Sequence, residues 1–117
     1  MNLIIAGSRG FSDDSYAHPI IDHLHAKTPF TSVICGMARG ADLVGKRWAE
    51  SRGIPVQEFP ADWKRYRNAA GPIRNEQMAE VADAVLVFWD GASRGSRHMA
   101  DIAKALNLKL CVVMVNQ

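Results

Sequence analysis

The stretch AVLVFWDGASRGSRH (residues 84–98) decides the fold of this 117-residue chain. Its first part, AVLVFW, is a continuous run of apolar residues rich in β-branched and aromatic side chains, which is typical of a strand covered on both faces. The rest changes abruptly to glycine, serine and arginine, which is typical of a loop. A buried strand that ends in such a loop predicts one unit of a parallel α/β sheet.

Four more apolar runs surround this strand in the chain, and helical patterns separate them. The predicted strands are Leu3–Ala6, Ser32–Cys35, Val56–Phe59, Ala84–Trp89 and Leu110–Val115. Their alternation with helices predicts an α/β, Rossmann-like three-layer sandwich with a five-stranded parallel sheet. We expect the strand order 3-2-1-4-5 rather than 2-1-3-4-5. The loops after the first and fourth strands look paired as one site, and the first order makes these two strands neighbours.

The helix boundaries follow from proline, glycine and the spacing of apolar residues. We expect Pro19 in the first turn of the first helix. The second helix should begin near Gly40–Ala41 and end at Gly53, the third should begin at Pro72, and the fourth just after Ser96.

The composition predicts a single globular domain over residues 1–117, with 48% hydrophobic and 22% charged residues. The net charge of +2 is too small to indicate a chain that wraps nucleic acid. No apolar stretch approaches the ~20 residues of a membrane span, and no secretion signal is evident, so we expect a cytoplasmic protein without a membrane partner. Cys35 and Cys111 fall in predicted strands, where buried, reduced thiols are expected.

Three glycine-containing loops follow predicted strands: AGSRGF (6–11), CGMARGAD (35–42) and DGASRGSRH (90–98). The carboxyl ends of parallel strands lie at one edge of a sheet, so these loops should meet there. Glycine lets the backbone approach a ligand, and the start of a helix favours an anion. The loops therefore predict a phosphate-binding site, with the first loop at the nucleoside end of the ligand.

Each loop also has a simpler interpretation. In the second loop Arg39 offers a charge-assisted bond, and Asp42 either accepts from a ribose hydroxyl or merely favours the helix start. A plain tight turn explains the same residues. In the third, Ser96 and nearby N–H groups form an anion nest, whereas the alternative is a flexible surface loop.

The longest irregular connection is PADWKRYRNAAGPIRNEQM (60–78). Loops of this length are usually functional. Trp63 and Tyr66 are candidates for stacking on a base beside the basic residues Lys64, Arg65 and Arg67. A solvated cover with Trp63 packed inward is the alternative.

Candidate catalytic residues are few. Glu76, Asp90 and His98 are the acid–base candidates near the predicted site, although each is also explained as a helix-start or turn residue. The cysteines and histidines lack the spacing of metal ligands, so we expect no metal site and no required cofactor.

The segments GSRGF (7–11), GMARGAD (36–42), AGPIRNEQM (70–78) and WDGASRGS (89–96) together resemble the SLOG superfamily (SMF/DprA–LOG), within it the YspA/YpsA-related branch. The resemblance implies a Rossmann-like domain that binds nucleotides or nucleotide-derived ligands, often as a sensor in bacteria and phages, and it implies homo-oligomerisation. The ligand-binding residues that it implies are Gly7, Ser8, Arg9, Gly36, Arg39, Gly40, Ala41, Asp42, Arg74, Asn75, Asp90, Gly91, Ser93, Gly95 and Ser96.

The superfamily also contains LOG enzymes, phosphoribohydrolases that cleave the base from a nucleoside 5′-monophosphate. Their fourth loop reads PGGxGTxxE, whereas this chain keeps only Gly95–Ser96 and has His98 and Met99 about where the acids would stand. Cleavage of an N-glycosidic bond needs such a carboxylate, by analogy with glycosidases. We therefore expect a nucleotide-binding module. The alternatives are a hydrolase that uses Glu76 or Asp90, and a single-stranded nucleic-acid module based on WKRYR.

Overall fold

The computed structural model describes residues 1–116 and contains one five-stranded parallel sheet with the order β3-β2-β1-β4-β5. The strands are β1 (Asn2–Gly7), β2 (Ser32–Cys35), β3 (Val56–Glu58), β4 (Ala84–Trp89) and β5 (Lys109–Met114). The helices are α1 (Asp14–Lys27), α2 (Ala41–Ser51), α3 (Trp63–Tyr66), α4 (Ala70–Val81) and α5 (Arg94–Ala105), with a 3₁₀ turn at Arg67–Ala69. The predicted α/β class and strand order are confirmed.

Helices cover both faces of the sheet and divide the core into two. Alternate residues of a strand point to opposite faces, so neighbouring residues of β1 enter different clusters. Ile5 packs with Ile21 of α1 and Trp48 of α2 on one face. Ile4 packs on the other face, with Met78 of α4 and Met99 of α5. This arrangement is the predicted three-layer sandwich.

Three helices begin earlier than expected because of caps or contacts that the apolar pattern does not show. The Asp13 carboxylate accepts from the N–H of Tyr16, so α1 begins at Asp14 and Pro19 is its sixth residue rather than part of its first turn. The third long helix, α4, begins at Ala70 because the 3₁₀ turn leads directly into it, not at Pro72. Ser93 caps α5, which therefore begins at Arg94.

The β5 edge of the sheet is open. Cys111, Val112 and Met114 are exposed, so the prediction of a buried Cys111 is wrong, whereas Cys35 is buried. Among the described residues, β5 pairs only with β4, and no helix comes after β5 to cover the side chains that it exposes. Homo-oligomerisation stays a prediction. Within residues 1–116, no helix has the length and apolar character that a bilayer crossing requires.

Candidate functional site

A cavity of about 400 Å³ opens at the carboxyl edge of the sheet, between the loops after β1, β2 and β4 and the start of α4. Fourteen residues line it: Ala6, Gly7, Arg9, Gly10, Ala38, Asp42, Arg74, Asn75, Met78, Asp90, Ser93, Gly95, Ser96 and Met99. Nine of these belong to the set that the sequence predicted. The sheet topology thus brings residues from separate loops around one space; we call it the main cavity.

Ser8 holds the loops together instead of lining the main cavity. It is buried, its N–H donates to the Phe88 carbonyl, and its hydroxyl accepts from the N–H of Asp90. Its own carbonyl accepts from the N–H groups of Phe11 and Ala41. One residue therefore connects the loops after β1 and β4 with the start of α2.

The start of α2 is packed against the first loop. Gly40 has a φ of 83°, and a Cβ there would lie 2.5 Å from the carbonyl oxygens of Ser8 and Arg9. The Ala41 N–H already donates to Ser8 at 3.2 Å. The Ala41 N–H is therefore not free to bind a phosphate, because the Ser8 carbonyl already accepts it.

Asp42 is the charged group that α2 brings to the main cavity. Its side chain is buried, with the residue only 6% exposed, and its Oδ2 accepts from the N–H of Ala38 at 3.2 Å. Burial raises the pKa of Asp42 to about 6, against the opposing effects of the Ala38 N–H and of the charges on Arg74 and Arg9. The carboxyl group is thus poised to change charge just below neutral pH.

Gly36 makes room for this carboxylate and for Arg74. A Cβ at Gly36 would lie 2.7 Å from both Asp42 Oδ2 and Arg74 Nη1, and the Gly36 carbonyl accepts from Arg74. Burial lowers the pKa of Arg74, while the nearby Asp42 raises it. A side chain at this position would force the ends of the Asp42 and Arg74 side chains to move, so Gly36 keeps open the space in which the two charged groups lie.

Arg74 and Asn75 connect α4 to α5. Arg74 Nε donates to Asn75 Oδ1 at 3.0 Å, and Asn75 Nδ2 lies 3.2 Å from His98 Nδ1 and 3.5 Å from the Gly95 carbonyl oxygen. Both residues are buried and both line the main cavity. Through Asn75, this pair links α4 to the first turn of α5 at the wall of the main cavity.

The first turn of α5 is the part of the main cavity best suited to an anion. Asp90 Oδ1 accepts from the N–H groups of Ala92 and Ser93, each at 2.8 Å, and Ser93 Oγ accepts from the N–H of Ser96. Within residues 1–116 the N–H groups of Arg94 and Gly95 have no hydrogen-bond acceptor, and a Cβ at Gly95 would meet no atom within 4 Å. Free donors at a helix start, with open space before them, are what an anion requires.

The catalytic candidates do not form an acid–base pair in the structure. Glu76 is exposed on α4 and is absent from the lining of the main cavity. Hydrogen bonds from Ala92 and Ser93 lower the pKa of Asp90, whose carboxylate is engaged in shaping its own loop. His98 Nδ1 lies 3.2 Å from Asn75 Nδ2, so this ring nitrogen already has a hydrogen-bond partner within the protein.

The sequence interpretation missed the apolar part of the main cavity. Ala6, Met78 and Met99 line it, yet the apolar patterns marked them only as strand and helix core positions. Six of the fifteen predicted residues do not line it: Ser8, Gly36, Gly40, Ala41, Gly91 and Arg39. Gly91 is exposed with a φ of 85°, and Arg39 is exposed and lines a neighbouring space described below. No sequence signal distinguishes a core methionine from one at a cavity wall.

Comparisons with known proteins show one family and one relative that this chain resembles. The family model YAcAr, described as the YspA, cpYpsA-related SLOG family, matches residues 1–66. The Gene 61 protein of Mycobacterium phage D29 is 35% identical over 111 residues, which cover 88% of this chain and 89% of that protein. No solved structure gives a significant match. The family match contains the loops after β1 and β2, and the phage alignment extends over most of the rest.

Proposed function

Because the chain belongs to the YspA, cpYpsA-related SLOG family, we propose that it binds a nucleotide or a nucleotide-derived phosphate ligand in the main cavity, as a sensor or ligand-binding module. Family membership supports a nucleotide-related ligand in general terms. The specific location rests on one observation, the unoccupied donors and open space at the first turn of α5.

The phosphate group binds at this turn. The N–H groups of Arg94 and Gly95 donate to its oxygens, and the partial positive charge at the start of α5 adds attraction. Arg9 and Arg74 line the same cavity and supply positive charge. Backbone donors confer no preference for a particular nucleotide, so the phosphate provides affinity and the rest of the cavity provides selectivity.

The sugar lies toward Asp42. In the described part of the chain, Asp42 Oδ1 accepts no hydrogen bond, although Asp42 lines the main cavity, so a ribose hydroxyl is a suitable donor. Such a bond compensates a carboxylate that is otherwise poorly solvated. Met78 and Met99 also line the cavity, but each is only 1% exposed and offers a ligand little surface.

We expect binding without turnover. A hydrolase that cleaves the base needs a carboxylate near the anomeric carbon, but Glu76 lies outside the main cavity and Asp90 accepts two backbone hydrogen bonds. Incubation with the four common nucleoside 5′-monophosphates, followed by chromatography of free base, tests this point. Sustained release of base that Asp90→Asn abolishes would favour the hydrolase.

Gly95 provides a direct test of the binding site. Gly95→Asp places a carboxylate where the phosphate should sit, and an acid at a helix start stabilises the helix by about 0.3–1 kcal/mol. We therefore expect a variant that melts no lower than the wild type and binds none of the monophosphates by isothermal titration calorimetry.

Gly95→Asn is the matched control, with nearly the same shape and no charge. We expect it to fold equally well and to bind more weakly than the wild type, but more strongly than Gly95→Asp. Unchanged nucleotide affinity in both variants would show that the ligand does not contact the first turn of α5.

A further inference from the structure

A second cavity of about 370 Å³ adjoins the main cavity. The two share Arg9, Ala38 and Arg74, so these residues form a common wall. The second cavity continues away from α5, between the loop after β2 and the segment that contains α3. A ligand that filled the main cavity alone would leave this space empty.

The second cavity is positively charged. Arg9, Arg39 and Arg74 line it, and no acidic residue of the described chain does, whereas the main cavity contains Asp42 and Asp90. Among residues 1–116, none of these three arginines has a carboxylate oxygen within 4.0 Å of its guanidinium nitrogens. Arg74 is held by the Gly36 carbonyl and by Asn75 Oδ1, whereas Arg9 and Arg39 make no side-chain hydrogen bond or ion pair among the described residues and are therefore suited to bind a ligand anion.

Trp63 supplies a flat apolar surface at the same cavity. The residue is 50% exposed, and a Cβ built on Gly71 would lie 3.6 Å from its Cη2 atom, which places the edge of the indole against α4. Asp62 caps α3 through the N–H of Arg65 at 3.1 Å and fixes the start of that short helix. A half-exposed indole in the same cavity as the exposed Arg39 is an arrangement on which nucleic-acid bases stack.

We propose that the ligand is of the dinucleotide class: one nucleotide occupies the main cavity, and a second anionic group and base extend past Arg9 and Arg74 to Arg39 and Trp63. This inference rests on the proposed function, because it requires the first nucleotide at α5. The second base stacks on the exposed indole face, and the guanidinium of Arg39 binds the second phosphate.

The test compares ligands that differ by one nucleotide. Each nucleoside 5′-monophosphate and the matching 5′-phosphorylated dinucleotide is titrated into the wild-type protein by calorimetry. We expect one dinucleotide to bind about 10-fold or more tightly than its mononucleotide, because its second base stacks on Trp63 and its second phosphate binds Arg39.

Two variants examine the second cavity, and one controls for exposed aromatic residues. Trp63→Leu and Arg39→Gln should each reduce the ratio of dinucleotide to mononucleotide affinity toward one. Tyr16→Leu removes an aromatic residue of similar exposure, 48%, that lines neither cavity, and it should leave the ratio unchanged.

The outcomes separate this inference from the proposed function. Equal affinity for the mononucleotide and dinucleotide, unaffected by Trp63→Leu, would overturn the extension and leave the site at α5 intact. Failure of every nucleotide to bind would overturn both. A 12-residue single-stranded oligonucleotide that bound more tightly than any dinucleotide would overturn the small-ligand assignment and indicate a nucleic-acid module.

Discussion

Replacing Asp42 by asparagine should stabilise the protein at neutral pH. The asparagine side chain has nearly the shape of a protonated aspartic acid, and its amide oxygen keeps the hydrogen bond from the N–H of Ala38. It lacks the negative charge, which burial makes unfavourable because the residue is only 6% exposed. The substitution therefore isolates the cost of ionising one buried carboxyl group.

The expected magnitude follows from the pKa. Burial raises the pKa of Asp42 from 3.8 to about 6, a shift of roughly two units, and each unit corresponds to 1.36 kcal/mol. Between pH 4 and 6 the folded state retains a proton that the unfolded state has released, so stability falls as the pH rises through this range. The variant lacks this loss. Its advantage should grow from near zero at pH 4 to about 3 kcal/mol at pH 7.

Urea denaturation of both proteins, from pH 4 to pH 7.5, measures this difference, and contributions from other acids cancel in the comparison. Asp90→Asn is the control with the opposite sign, since hydrogen bonds lower the pKa of Asp90 and its stabilising effect is lost as the pH falls. A stability difference between wild type and Asp42→Asn that stayed constant with pH would refute the conclusion that burial raises the pKa of Asp42 in the folded protein.

Three further predictions concern binding and backbone geometry. Protonation of Asp42 removes a negative charge from the main cavity, so calorimetry should find that the ratio of wild-type to Asp42→Asn phosphate affinity is higher at pH 5.5 than at pH 7.5, because protonation of the phosphate itself cancels in this ratio. Gly7→Ala should lower the free energy of unfolding by about 3 kcal/mol or more, because its Cβ would collide with the Phe88 carbonyl oxygen. Gly91→Ala should lower it by only roughly 1–2 kcal/mol, because Gly91 has a φ of 85° but its Cβ would meet only a Met114 methyl at 3.5 Å. Urea denaturation measures both. Ser93→Ala removes the α5 cap, so it should cost about 1 kcal/mol and weaken nucleotide binding; unchanged affinity would argue against the site.

The sequence by itself determined the layers and the edge of the sheet where the loops meet. The run AVLVFW (84–89) became β4 with the predicted bounds, because a continuous apolar run between loop residues is stable only when both faces are covered. Alternation with helices then required parallel strands and right-handed crossovers. The placement of Gly95 and Ser96 beside the loop after β1 follows from this topology, although their role in binding stays a prediction.

Only the tertiary structure decided which polar groups remain free. At the start of α2, after the loop at 35–42, the Ser8 carbonyl accepts the Ala41 N–H. In the similar loop before α5, the N–H groups of Arg94 and Gly95 remain without an acceptor among the described residues. Likewise, no local pattern shows that Asp42 is buried or that Trp63 stands beside Arg39. Local patterns specify helices and strands through periodicity and caps, whereas the availability of a donor or the solvation of a charge depends on atoms far away in the sequence.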